Sequence, residues 1–186
     1  MRSTSDTRLR VVGWIAAACL ALPRPAWPGN PATDYDVKAA FLLHFTRLVE
    51  WPGGSGGAPI VVAVLGNEPF ADVLAQAARA HPAKAALRIV RGDSVESLGE
   101  ERPHVLFIGT DNATEASRVC AAVGAAPMLT VGDVPGFAQR GGMIGFRVTE
   151  DGRVTFDVNL ARSQAAGLKV SSQLLKVARL VGEAER

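Results

Sequence analysis

The chain has few of the residues from which catalytic and metal sites are usually built. Its 186 residues include two cysteines and three histidines. The histidines, His44, His81 and His104, fall on different predicted elements and lack the short spacing of metal ligands. We find no Walker motif, no Gly-x-Gly-x-x-Gly after a strand and no EF-hand loop. We therefore expect a protein that is not an enzyme and that holds neither a metal nor a cofactor.

The chain also lacks a hydrophobic run long enough to span a membrane, and its longest apolar run lies in a leader-like segment. Residues 1–28 have an arginine-bearing start, an apolar run from Val11 to Leu22 and a proline-rich exit, as secretory signals do. The run is shorter than the roughly 20 residues of a membrane span. We expect a signal peptide over residues 1–28, cleaved between residues 18 and 32, and a periplasmic location. An uncleaved anchor and lipidation at Cys19 are the alternatives.

The chain has no excess of one charge once the leader is set aside. The formal charge of +2 comes from the arginines before residue 30, and the remainder is nearly balanced. The part of the chain after the leader is therefore not expected to have the basic surface of a nucleic-acid-binding protein. Without Cys19, Cys120 has no partner for an internal disulfide. Its apolar helical neighbours favour a buried, inert thiol, and pairing between two chains is the alternative.

After the leader, the first element that the sequence predicts is an amphipathic helix between Asp34 and Pro52. Asp34 is suited to cap it, and Pro52 with the following glycines ends it. One set of residues recurs at helical spacing, and we expect it to face the core. The set is Val37, Ala40, Phe41, His44, Phe45 and Leu48.

From Pro59 onward, short apolar strands alternate with helices. Strands are predicted at 60–65, 87–90, 104–108 and 127–131, helices at 70–80 and 114–123, and a short helix or turn at 94–99. This alternation favours a Rossmann-like α/β fold, with a mostly parallel sheet covered by helices on both faces. An antiparallel hairpin is predicted over 143–160, and a closing helix over 167–182. We expect a single domain over residues 34–186.

Three of the apolar strands end in a glycine that is followed by polar residues. In a doubly wound sheet the carboxyl ends of the strands line one crevice, where ligands bind. The candidate ligand-binding residues are Asn67, Thr110, Asp111, Asn112 and Asp133. Alternatively, these are the ordinary turn and helix-capping residues that any such fold needs.

Several blocks of the sequence resemble the YfiR family of periplasmic proteins, in the family's order. They are Lys38-Ala39-Ala40-Phe41-Leu42, Trp51-Pro52, His104-Val105-Leu106-Phe107-Ile108, and the stretches 142–146, 156–160 and 166–178. The resemblance implies an α/β protein without known enzymatic activity. The best-known member binds the periplasmic sensor part of an inner-membrane diguanylate cyclase and represses it, which restrains cyclic di-GMP and biofilm formation.

The resemblance leads to two functional hypotheses. The first is a non-enzymatic periplasmic regulator that binds and represses a membrane-anchored diguanylate cyclase. The second is a periplasmic small-ligand-binding module that reports to a sensor kinase or a TonB-linked uptake system. Homodimers are also associated with the family. Pro103 stands where the family often has cysteine, and a later cysteine pair is absent, so redox control through disulfides is not expected.

Overall fold

The computed structural model describes residues 31–54, 58–80 and 86–182. The predicted leader, with Cys19, and His81 lie outside these residues. The helices are α1 (Pro31–Leu48), α2 (Glu68–Ala80), α3 (Ala113–Val123), α4 (Leu160–Ala165) and α5 (Ser172–Leu175). The strands are β1 (Val49–Glu50), β2 (Ile60–Leu65), β3 (Leu87–Gly92), β4 (Val105–Ile108), β5 (Leu129–Gly132), β6 (Ile144–Val148), β7 (Val154–Asn159), β8 (Lys169–Val170) and β9 (Arg179–Val181). Two 3₁₀ turns occur at Glu96–Leu98 and Phe137–Arg140.

A seven-stranded sheet with the spatial order β3-β2-β4-β5-β6-β7-β9 forms the centre of the fold. The strands from β3 to β6 pair in parallel, and β7 runs antiparallel to β6 to form the predicted hairpin. From β2 the chain moves outward to β3 and then crosses back to β4. This is the flavodoxin-like variant of the doubly wound fold, with its strand order reversing between β2 and β4. The predicted α/β class with a mostly parallel sheet is confirmed.

The central strands are continuous apolar runs because helices cover both faces of the sheet. All six residues of β2 are buried. Val62 and Val64 belong to the core beneath α1 and α2, whereas Ala63 and Leu65 belong to a second core with α3. Alternate side chains of one strand thus enter two different cores, which leaves no position on β2 for a polar residue.

The face that α1 presents to the core differs from the predicted one. Val37, Ala40 and His44 are exposed, whereas the buried residues are Lys38, Ala39, Leu42, Leu43 and Phe45. The buried arc is rotated because α1 packs against the sheet and α2 at once, and because the stem of Lys38 lies inside. The helix also begins at Pro31, so Asp34 lies in its first turn and is not its cap.

Of the helix predicted over residues 167–182, only the single turn of α5 (Ser172–Leu175) is formed. Gly167, at φ +73°, follows α4 and turns the chain. The next residues pair antiparallel with β1 as β8, and the last ones pair with β7 as β9. The helical spacing of leucines was a local signal, and pairing with strands distant in sequence outweighs it.

Candidate functional site

The five candidate ligand-binding residues meet at one edge of the sheet. Asn67 follows β2, residues 110–112 follow β4, and Asp133 follows β5. These strands are neighbours and parallel, so their carboxyl ends lie side by side. The structure therefore places the residues along one carboxyl edge of the sheet, as the sequence predicted, with Asn67 and residues 110–112 at the reversal of strand order and Asp133 one strand beyond it. Their role in holding a ligand stays a prediction.

Side chains of α1 contact two of these five residues, Asp133 and Asn67. The Lys38 ammonium lies 3.0 Å from the Asp133 carboxylate, with side chains only 11% and 22% exposed. The Asn67 amide donates a 3.2 Å hydrogen bond to the Tyr35 hydroxyl, and its oxygen accepts the N–H of Phe70 at the start of α2. The amino-terminal half of α1 therefore covers the crevice.

The residues after β4 serve mainly the start of α3. The Asn112 carboxamide oxygen accepts the N–H groups of Thr114 and Glu115, at 2.9 and 3.2 Å, which makes Asn112 the helix cap. The Thr110 hydroxyl donates to the Glu115 carboxylate at 2.6 Å. Asp111 is exposed. These contacts are the capping and turn roles that the sequence offered as the alternative.

The glycine after β4 allows two strand ends to pack closely. A Cβ atom at Gly109 would lie 2.3 Å from the Cβ of Asn67 and 3.0 Å from the Leu65 carbonyl oxygen. Any larger residue would separate the ends of β2 and β4. Here the glycine serves chain packing across the reversal of strand order.

A buried carboxylate at the other side of the sheet was not anticipated from the sequence. The side chain of Asp157 on β7 is only 6% exposed. It accepts hydrogen bonds from Arg179 at 2.8 Å and Arg147 at 3.3 Å. Burial by itself would raise the pKa of Asp157, but the Arg179 guanidinium outweighs it and holds that pKa below its usual value. The carboxylate thus fastens β9 to the sheet.

The outer side of α1 forms an exposed apolar surface, which we call the α1 flank: Asp36, Val37, Ala40, Phe41 and His44. These residues line a shallow groove of about 390 Å³. Val37 is 36% exposed, and the Phe41 ring packs at its inner edge against Phe156. The sequence contained an indication of this surface. Apolar residues occupy more of the circumference of α1 than one core can bury, so some of them have to remain exposed.

In the described parts of the chain, no three histidine, cysteine, aspartate or glutamate side chains are grouped to hold a metal ion. Likewise, none of the helices in residues 31–54, 58–80 and 86–182 has the length and apolarity to cross a membrane.

Cys120 is buried, as predicted, and burial raises the pKa of its thiol to about 11. It is therefore a protonated core residue at neutral pH.

The strand order and the position of α1 define a doubly wound α/β domain whose carboxyl edge is partly covered by its own first helix. The chain belongs to the YfiR/HmsC-like family, which it matches over residues 35–179. Members of this family are regulatory, non-catalytic proteins of the periplasm. No curated protein matches the chain. The matched span begins at Tyr35, which accepts a hydrogen bond from Asn67. It ends at Arg179, which donates one to Asp157.

Proposed function

We propose that this protein is exported to the periplasm, where it binds and represses a membrane-anchored diguanylate cyclase and so controls cyclic di-GMP and biofilm formation. Family membership supports the regulatory part of this function. The single observation that carries the binding part is the α1 flank, an apolar surface left open on a well-packed domain. Exposed apolar surfaces of this kind are typical of sites where proteins meet.

The α1 flank has the pattern of a helix-recognition surface. Val37, Ala40 and His44 have the i, i+3, i+7 spacing of residues that meet an amphipathic helix. The small side chain of Ala40 at the centre lets a second backbone approach, while Asp36 gives one end of the groove a negative charge. We expect the partner to present an apolar helical face with a basic residue at that end.

The compartment determines how repression has to work. The partner's active site lies in the cytoplasm, on the other side of the bilayer from the proposed binding event. Binding therefore acts by favouring one conformational state of the partner's periplasmic part, and the energy available is the difference in affinity between its states. A sensor kinase with a similar periplasmic part would be regulated in the same way.

The experiment that tests this function measures intracellular cyclic di-GMP in a deletion strain. We expect the level to rise on deletion and to return when the exported protein is supplied, but not when a leaderless version is. Ala40→Lys should fail to restore repression, because it places a charge at the centre of the flank. Ala161→Lys is the matched control, since Ala161 is exposed on α4. An unchanged level on deletion would overturn the cyclase assignment.

A second candidate function is the small-ligand-binding module that reports to a sensor kinase or a TonB-linked uptake system. The exposed Asp111 carboxylate favours it, because among the described residues Asp111 has no hydrogen-bond partner. Asp111 follows β4 at the carboxyl edge of the sheet. Thermal stabilisation of the protein by extracts of its growth medium, lost in Asp111→Ala, would support this function. Stabilisation that persists in that variant would count against a site at Asp111.

A further inference from the structure

A separate cleft lies at the amino edge of the sheet, opposite the covered crevice. Three segments converge there: residues 51–54 after β1, residues 101–104 before β4, and residues 126–128 before β5. The cleft has a volume of about 430 Å³, within the range of sites that hold small organic ligands. Its walls are mainly apolar and are formed by Trp51, Pro52, Pro103, Pro127 and Met128.

The two rings in this cleft are fixed by hydrogen bonds. The Trp51 indole N–H donates to the His104 carbonyl oxygen at 2.9 Å. The Val61 N–H donates to His104 Nδ1 at 3.1 Å. The two rings meet edge to face, with centroids 5.6 Å apart. A ligand would therefore meet a preformed wall, which lowers the entropic cost of binding.

Two polar side chains of the cleft, His104 and Arg102, offer hydrogen-bond donors, and the carboxylate of a third, Glu101, is already engaged. Because His104 Nδ1 accepts a hydrogen bond, the ring proton of the neutral imidazole is on Nε2 and makes that atom a donor. Glu101 is already bound to Arg88, at 2.6 Å, so its charge is compensated. Arg102 is exposed and, within the described residues, forms no ion pair. A ligand that carries a hydrogen-bond acceptor, and above all an anionic one, complements these donors.

We infer that the cleft binds a small molecule made of one or two flat apolar rings that carries a carboxylate. The rings lie against Trp51, the prolines and Met128, and the carboxylate faces Arg102 and the His104 Nε2–H group. This inference is independent of the proposed function, because the cleft and the α1 flank share no lining residue. It assigns a ligand site at the edge of the sheet where a doubly wound fold ordinarily has none.

Three naphthalene derivatives test the inference, since they share one ring system and differ only in charge. They are 2-naphthoate, 2-naphthalenemethanol and 2-naphthylmethylammonium. Binding to the exported protein is followed by the NMR shift of the Trp51 indole N–H, which is identified by its loss in Trp51→Phe. We expect saturable shifts, with naphthoate bound about tenfold more tightly than the alcohol and the ammonium compound bound most weakly.

Arg102→Gln separates charge recognition from simple apolar binding. Because Arg102 is exposed, the variant should fold, and it should weaken naphthoate about tenfold while changing the alcohol by less than about twofold. Arg118→Gln, an exposed change on α3 outside the cleft, should leave both unchanged. Equal affinity for all three compounds, an unaltered naphthoate affinity in Arg102→Gln, or no shift of the Trp51 resonance would each overturn the inference.

Discussion

Lys38 on α1 and Asp133 after β5 form a 3.0 Å ion pair across the carboxyl edge of the sheet, 95 residues apart in sequence. Lys38 is almost fully buried, and its ammonium also lies 5.7 Å from the centre of the Tyr35 ring. The pair holds the first helix over the carboxyl edge of the sheet, one strand beyond the reversal of strand order. It explains why a lysine sits on the inner side of a core helix.

Removing the lysine charge should destabilise the protein. We expect Lys38→Met to lower the free energy of unfolding by about 2 kcal/mol, because Asp133 is then left partly buried without its partner. Urea unfolding measures this change. Arg91→Gln is the control, since it breaks the exposed ion pair with Asp72 and should cost less than about 1 kcal/mol. Equal losses in the two variants would show that burial of the Lys38 pair adds nothing.

The Asp157 carboxylate should stabilise the protein in a pH-dependent way. Its pKa is depressed in the folded state, so its contribution is fully present above the unfolded value of about 3.9. That contribution is lost as pH falls through the lower folded pKa. Asp157→Asn should therefore lower the free energy of unfolding at pH 7 by about 2 kcal/mol, as measured by urea unfolding, and this difference should shrink as pH falls through the folded pKa.

Hydrogen exchange gives the Asp157 prediction a local readout. In Asp157→Asn the amides of β9 should exchange faster than those of β4, because Arg179 has lost its bidentate acceptor. A uniform increase over the whole sheet would mean that the carboxylate supports the entire fold and has no special role at β9.

His104 should make stability depend on pH near neutrality. Burial lowers the pKa of His104 in the folded state. As pH falls through the unfolded value of about 6.5, the unfolded chain takes up a proton that the folded chain resists, and stability decreases until the folded pKa is passed. In His104→Asn the carboxamide oxygen can still accept the Val61 N–H, so stability should vary less between pH 7 and pH 5. An unchanged slope in urea unfolding would contradict this role.

The sequence allowed prediction of those features that depend on neighbouring residues. The run Ile60–Leu65 was predicted as a buried strand with the bounds that the structure has, because a fully covered strand is apolar throughout. The meeting of Asn67 and Asp133 at one edge was also predictable, since it follows from the order of alternating strands and helices. The leader and the domain bounds 34–186 stay predictions.

What the sequence did not reveal depends on residues far apart in the chain. Nothing around Asp157 indicates that Arg179 will fold onto it, and nothing around Lys38 indicates Asp133. The leucines of the last segment have helical spacing, yet strand pairing with β1 and β7 determines its path. Val37, Ala40 and His44 of the α1 flank were wrongly predicted to face the core for a related reason, because periodicity identifies one helical face but not which of its residues are covered.

The first helix is anchored at both edges of the sheet. In its amino-terminal half Lys38 is held by Asp133, and just beyond its end Trp51 is held by the His104 carbonyl. Eighteen helical residues between Pro31 and Leu48 form a rod about 27 Å long. Because neither end is able to swing without breaking its anchor, we expect the flank to keep one shape in the free protein. A partner of the proposed kind would therefore meet a rigid template, and any adaptation of shape during association would have to come from the partner's side.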